Sequence, residues 1–281
     1  MTRSPSEQAL IERFSRTYGH LTSSQTMMEI ERSVCGCDYG CTSWTTRKEA
    51  DAVGGMLGLR PGVKFLEVGA GSGWPGLYLA KETGCDAALI DLPREGLRAA
   101  RERAATDGLA DRCQIVQGDG AALPFRNGSF DAIYHSDVLC CLVEKQAVLE
   151  SCRRVIRDAR ERHEEERGKM VFSVILIQPG LSDADYEIAA DGGPTFIEAP
   201  MDYPAMLQRT GWEITAHGDQ TADYTATFRK MFSLEQDNIG EFERVHGEKG
   251  AVELMGRRER TLDALDRKLL RREIFTVVPV G

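Results

Sequence analysis

The run Glu67-Val-Gly69-Ala-Gly71-Ser-Gly73-Trp-Pro75-Gly76 holds the densest set of chemically suggestive residues in the chain. Glycines at this spacing after a short apolar run permit a tight strand-to-helix turn and let a ligand approach the backbone closely. Two patterns overlap there: Gly71, Gly73 and Gly76 satisfy G-x-G-x-x-G, while Glu67, Gly69, Gly71 and Gly73 satisfy E-x-G-x-G-x-G. A packed turn without a ligand needs the same glycines, so the run alone does not decide. Asp91 stands 18 residues after Gly73, at the end of another apolar run, where a carboxylate would accept hydrogen bonds from two ribose hydroxyls. Asp119-Gly120 follow a third such run, and His135 ends a fourth. A histidine at a strand end is a candidate general base, and equally a ring bonded to nearby backbone. Asp137 could orient a cationic amine, pair with His135, or cap the next helix, with capping preferred.

Two further groups invite chemistry. Tyr39 and Trp44, in the loop CGCDYGCTSW (35–44), could wall a pocket and offer an aromatic face to a cationic group; Tyr203 and Tyr224 are candidates of the same kind. For all four, anchoring or core packing is the alternative. Cys35, Cys37 and Cys41 have C-x-C-x3-C spacing, which is not the C-x2-C of structural zinc, and no nearby histidine completes four ligands. No metal is therefore expected, and the eight cysteines read as small buried hydrophobes.

The elements that must position these residues form an alternating series. Ser4-Pro5-Ser6-Glu7 reads as a capping box opening a helix towards Tyr18, and a second helical pattern covers 24–34. KFLEV (64–68), AALID (87–91), CQIVQ (113–117), FDAIYH (130–135) and MVFSVILI (170–177) read as strands, with helices from Trp74 to Thr83 and from Arg94 to Thr106. A long charged helix is expected from Cys141 to Glu166. Pro204–Thr210 reads as helix, Trp212–His217 as strand, Thr221–Leu270 as mostly helix and Glu273–Val280 as a last strand. This order predicts a doubly wound, Rossmann-like α/β sheet of seven strands, mostly parallel with an antiparallel last strand. The expected domains are a helical cap and loop at 1–60, an α/β core at 61–220, a helical lid at 221–270 and a last core strand at 271–281.

Composition narrows the classes. Of 281 residues, 42% are hydrophobic and 28% charged, as in a globular protein with a substantial core. The net charge of −9 and the absence of a basic stripe argue against a nucleic-acid partner. Short basic runs such as Arg257-Arg258 and Arg271-Arg272 are interleaved with acids and read as solvated faces. No apolar run approaches the roughly 20 residues of a membrane span. The amino terminus has no apolar signal region, and a cytoplasmic location with reduced thiols is expected. Oligomeric state is not legible.

Taken together and in order, Glu67–Gly73, Asp91, QGDGAALPF after the third strand and FDAIYHSDVL after the fourth resemble the class I S-adenosylmethionine-dependent methyltransferases, of the type 11 small-molecule kind, across residues 63–142. The resemblance implies S-adenosylmethionine as cofactor. Glu67, Gly69, Ala70, Gly71 and Gly73 would hold its amino-acid moiety, and Asp91 with Leu92 its ribose. Asp119, Gly120 and Ala121 would meet the adenine, and His135 would lie near the cofactor. GWEITAHGDQTADY (211–224) resembles the late segment of small-metabolite methyltransferases, which implies an amine, hydroxyl or thiol acceptor. One departure is the R-V-L-x-P-G-G turn of many relatives, replaced here by the charged stretch after Ile156. Three alternatives stay open: a nicotinamide-dependent oxidoreductase using Gly71, Gly73 and Gly76; an arsenite methyltransferase with Cys35, Cys37 and Cys41 joined by Cys140 or Cys141; and a non-catalytic S-adenosylmethionine-binding protein.

Overall fold

In the computed structural model the described residues are 3–158 and 167–280. Seven strands form one sheet: β1 (Lys64–Val68), β2 (Asp86–Asp91), β3 (Cys113–Gln117), β4 (Ala132–Ser136), β5 (Lys169–Ile177), β6 (Trp212–Asp219) and β7 (Leu270–Pro279). Their order is β3-β2-β1-β4-β5-β7-β6. The pairs among β1 to β5 are parallel, and β7 runs antiparallel to both its neighbours. The sheet reverses its strand order between β1 and β4, and the carboxyl ends flanking such a reversal are where open α/β sheets bind ligands.

Period-two alternation sorts the strand residues into two cores. Phe65, Leu89, Tyr134 and Val171 face one side, with α3 (Arg47–Leu57), α4 (Gly76–Thr83) and α5 (Arg94–Thr106). Leu66, Ile90, Ile133 and Phe172 face the other, with α6 (Lys145–Val155) and α8 (Tyr203–Arg209). β5 is buried on both faces over its central seven residues, which its nearly continuous apolar sequence requires. The amino-terminal helices α1 (Pro5–Leu21) and α2 (Gln25–Cys35) lie outside these layers. The block α9 (Thr221–Asp237), α10 (Ile239–His246) and α11 (Glu248–Asp266) lies between β6 and β7 in the chain and packs Tyr224, Phe228, Ala264 and Leu265 into the core of the α6 and α8 side. Met27 and Ile30 of α2 share a third core with Phe242 and Ala251, so the two ends of the chain pack together. Among the described residues, no helix is long and apolar enough to cross a membrane.

The capping box at Ser4 forms as its sequence predicts. Three expectations need correction. The charged helix begins at Lys145 and ends at Val155, because Ile156 bridges to Phe130 and the Arg157 N–H donates to the Phe130 carbonyl at 2.8 Å. The rest of that expected helix, 159–166, lies outside the described residues. α3 was not anticipated: Gly54 and Gly55 weaken its helical pattern, but Ala50, Val53 and Leu57 bury one face against the sheet core. α7 (Asp183–Gly192), capped by the Ser182 hydroxyl, was also not anticipated.

Candidate active site

Glu67, Asp91 and Asp119 stand at or just beyond the carboxyl ends of the three adjacent strands β1, β2 and β3. Glu67 is buried beneath the first turn of α4, where the Gly76 N–H donates to its carboxylate at 3.1 Å. A Cβ at Gly76 would collide with that carboxylate, so the third glycine of G-x-G-x-x-G serves Glu67 here. Burial pushes the Glu67 carboxyl well above the usual carboxylate range, and the neighbouring Asp91 adds to the shift. Asp91 accepts from the Gly71 and Leu92 N–H groups, each at 2.7 Å, yet burial still raises its carboxyl to about 6. Neither acid has an ion pair among the described residues. Asp119 caps the short turn Gly120–Ala122 by accepting from the Ala121 N–H at 2.9 Å. Gly120 packs against Val68, and Ala70 is buried with its N–H on the Ile90 carbonyl at 3.1 Å.

The donor set tests the implied cofactor. S-adenosylmethionine carries an ammonium, a sulfonium and two ribose hydroxyls, which are what two hemmed-in carboxylates without a cation lack. The residues fit. α1 lies across this edge: Arg3 donates to Asp119 at 2.7 Å, and Tyr18 is buried against Gly71 and Gly96 with its hydroxyl 3.1 Å from that of Thr42. A Cβ at Gly71 or Gly96 would strike the Tyr18 ring, so these glycines seat the helix as well as shape the turn.

The end of β4 differs from the sequence expectation. His135 points into the core of the α6 and α8 side, fully buried and stacked on Phe172 at 4.8 Å between ring centroids. Neither ring nitrogen has a partner, and burial lowers the ring to about 3. A ring so hard to protonate is a poor general base, which corrects the catalytic role expected of His135. The alternation that places Tyr134 on one face sends His135 to the other, away from Glu67 and Asp91.

Asp137, at φ 54, neither caps the following turn nor pairs with His135. Its two carboxylate oxygens both accept from Arg272 Nε at 3.0 Å. The Arg272 guanidinium also donates to both oxygens of Glu49, at 2.8 and 2.9 Å, to Ser173 at 2.9 Å and to Gln220 at 3.2 Å. It is 1% exposed, and although burial opposes its charge, Asp137 and Glu49 hold it protonated. The solvated-face expectation for Arg271-Arg272 therefore fails at Arg272. It fails also at Arg258, which forms a two-pronged pair with Glu235 at 2.8 and 2.9 Å.

The four aromatic candidates separate. Trp44 and Tyr224 come together at 5.6 Å with Phe228 beside them, and Arg258 lies 4.9 Å over the Trp44 ring. Tyr39 packs on the opposite core against Trp74, with Arg103 at 4.3 Å over its ring. Tyr203 is buried near Phe172 and Phe275, its hydroxyl unpartnered. The chain's own arginines thus occupy the Trp44 and Tyr39 faces expected to receive a cationic substrate group. Cys140 and Cys141 belong to the core of the α6 side, and Cys35, Cys37 and Cys41 to the other.

Sequence reasoning missed Arg3, Tyr18, Glu49 and Arg272. An arginine at an inward register between Leu270 and Ile274 was the available signal, since a buried guanidinium requires an acid. Two surface cavities, of about 490 and 350 Å³, lie elsewhere, between α7 and α11 and along α5.

Comparison with known proteins agrees with this geometry. Residues 66–159 match the family described as "Methyltransferase domain". The chain is 26% identical over 193 residues to the methyltransferase GfsG of Streptomyces halstedii, spanning 66% of each protein. Among solved structures it resembles the [4+2]-cyclase SpnF, with TM-score 0.74 and 17% identity, over 100% of this chain and 99% of that one. It also resembles a Haemonchus contortus phosphoethanolamine N-methyltransferase bound to phosphomonomethylethanolamine and S-adenosylhomocysteine, with TM-score 0.73 and 16% identity, over 93% of this chain and 59% of that one. The structural likenesses establish the fold. The motif acids, the sheet that presents them and the matched domain at 66–159 together make the chain similar to the class I S-adenosylmethionine-dependent methyltransferases.

Proposed function

We propose that the protein binds S-adenosylmethionine across the ends of β1, β2 and β3 and transfers its methyl group to a small-molecule amine, hydroxyl or thiol. The observation that carries this reading is the pair of closely surrounded carboxylates, Glu67 and Asp91, with no cation among the described residues paired to them. When bound, the cofactor supplies a carbon already activated by its sulfonium. The chain's task is then to orient and to exclude water. Glu67 and Asp91 hold the donor groups of the cofactor, Asp119 stands at the adenine position, and α1 with Arg3 and Tyr18 closes the edge. The Asp137–Arg272–Glu49 cluster fixes β4, β7 and α3 relative to one another, so the floor beside the cofactor is rigid. Trp44, Tyr224 and the unpartnered Tyr203 hydroxyl are the aromatic residues we assign to the acceptor side, with cation recognition by Trp44 excluded through Arg258. His135 is not assigned as base.

A protein named as a cyclase shares the fold over the whole chain, so the reaction itself must be measured. Calorimetric titration with S-adenosylmethionine, followed by S-adenosylhomocysteine release across pooled amines, hydroxyls and thiols, is the test. Binding together with release in one pool is the expected result. Absence of binding overturns the cofactor assignment, and binding without release in any pool overturns the transferase.

A further inference from the structure

The loop after α2 holds a cluster that methyl transfer does not use. α2 ends at Cys35, Gly36 turns the chain with φ 77, and the loop returns over the last turns of the helix. Cys37 Sγ and Cys41 Sγ then lie 3.1 and 3.0 Å from the same oxygen of Glu31. The N–H groups of Tyr39, Gly40 and Cys41 point at that carboxylate too, at 3.2, 2.7 and 3.3 Å. Glu31 is buried, with no ion pair among the described residues, and burial raises its carboxyl despite the thiol hydrogen bonds. One donor atom from each of Glu31, Cys37 and Cys41 lies within 4.8 Å of the others. Cys35 is also buried and belongs to the same core as Cys37 and Cys41.

Donors bound about 2.0–2.3 Å from a tetrahedral ion stand roughly 3.3–3.8 Å apart, so small shifts bring the cluster to that spacing, with the two sulfur–oxygen contacts of 3.0 and 3.1 Å widening and the whole set already inside 4.8 Å. Two soft sulfurs with one carboxylate oxygen match the donor preference of zinc and cadmium and suit neither magnesium nor calcium. C-x-C-x3-C read alone lacks a non-cysteine ligand, and Glu31, one helical turn before Cys35, supplies one.

We propose that Glu31, Cys37 and Cys41 form a binding site for a zinc-class divalent ion. On binding, each coordinating thiol loses its proton to solvent and forms a sulfur–metal bond, and no oxidation occurs. The three N–H groups stay on the carboxylate side. The site bears on the cofactor turn, because the Ser72 hydroxyl donates to the Gly40 carbonyl at 3.1 Å. An ion there fastens the cap loop to the glycine turn.

The test uses the full chain, reduced and stripped with chelator, titrated with cobalt(II) and then zinc. The expected result is one equivalent of cobalt with thiolate charge-transfer absorption and tetrahedral bands, both lost on adding zinc. Cys37→Ser and Cys41→Ser should each weaken binding by at least about 10–100-fold, the scale on which even outer ligand partners act. Cys113→Ala, outside the cluster, should leave the stoichiometry unchanged. Circular dichroism checks that the variants fold. If they do not, X-ray absorption on the zinc-loaded wild type decides, the expected shell being two sulfurs near about 2.3 Å plus oxygen. Absence of thiolate absorption at one equivalent, unchanged binding in both folded serine variants, or a shell of oxygen and nitrogen alone overturns the site.

Discussion

Two sets of buried acids lie at the same edge of the sheet and have opposite fates. At β1 and β2, Glu67 and Asp91 are enclosed with no positive partner. Just past the end of the next strand, β4, Asp137 shares Arg272 with Glu49 of α3. Desolvation opposes ionisation at both places, but only the second supplies an internal counter-charge. The contrast separates acids that wait for a ligand from acids that hold the fold, and it can be broken by experiment.

The largest effect is expected at the paired end. Arg272→Met leaves two buried carboxylates without a partner and should cost about 3–5 kcal/mol of stability in urea unfolding. Adding Glu49→Gln and Asp137→Asn to it should recover much of that loss, since a fully apolar or neutral cluster has no charge left to compensate. If Arg272→Met alone is as stable as wild type, the cluster is not holding the strands together.

At the unpaired end the sign reverses. Asp91→Ala should weaken S-adenosylmethionine binding by about 1–3 kcal/mol, through lost hydrogen bonds to the ribose. The ligand-free variant should nevertheless melt no lower than wild type, because an unfavourably buried charge has been removed. Calorimetry and thermal melts on one preparation give both readouts; unchanged affinity removes Asp91 from the ribose site.

The pH dependence sharpens the same point. With Asp91 raised to about 6, the ligand-free carboxylate is mostly protonated below that value. Cofactor affinity should therefore fall as pH drops through 6, by up to about tenfold per unit if the bound state requires the ionised form. The stability of the ligand-free protein runs the other way. A carboxyl whose folded-state pKa is raised favours folding as pH falls from about 6 towards the unfolded value near 4. Flat affinity between pH 5 and 7 would remove Asp91 as the titrating contact. The smallest effect is expected at Arg3→Ala: an exposed pair with Asp119 is worth about 0–1 kcal/mol, so stability should hardly move while cofactor release quickens in stopped-flow traces.

How much of this the sequence disclosed follows from the range of the forces involved. The strands, the glycine turn and the three acids were legible because hydrophobic period and turn chemistry are local signals. The number of strands, their mostly parallel sense and the antiparallel last strand also followed, since parallel crossovers leave few topologies. His135 was misplaced because the ligand-binding edge was inferred from its position at a strand end, whereas the pleat decides which way a side chain points. Arg272 and Arg258 read as surface because their partners, Glu49, Asp137 and Glu235, are distant in sequence or on another helix. Tyr39 and Trp44 were expected to offer ring faces to a cationic substrate group, and in the structure Arg103 and Arg258 of the chain lie over them. Glu31 went unnoticed since a metal pattern was sought among cysteines and histidines alone.

The position of β7 has a consequence for how the molecule is made. Residues 270–279 do not add an outer strand; they wedge between β5 and β6, and they carry Arg272 to acids on α3 and β4. A nascent chain emerging from the ribosome therefore exposes the apolar edge of β5 until β7 has been synthesised. β6 and α9 to α11 must wait nearby without blocking the slot. Premature termination anywhere before this strand would yield a chain with an open sheet edge and two buried acids lacking their cation, a species marked for chaperones or proteolysis. Synthesis of β7 thus acts as a check, in which a chain lacking that strand cannot assemble the Asp137–Arg272–Glu49 cluster.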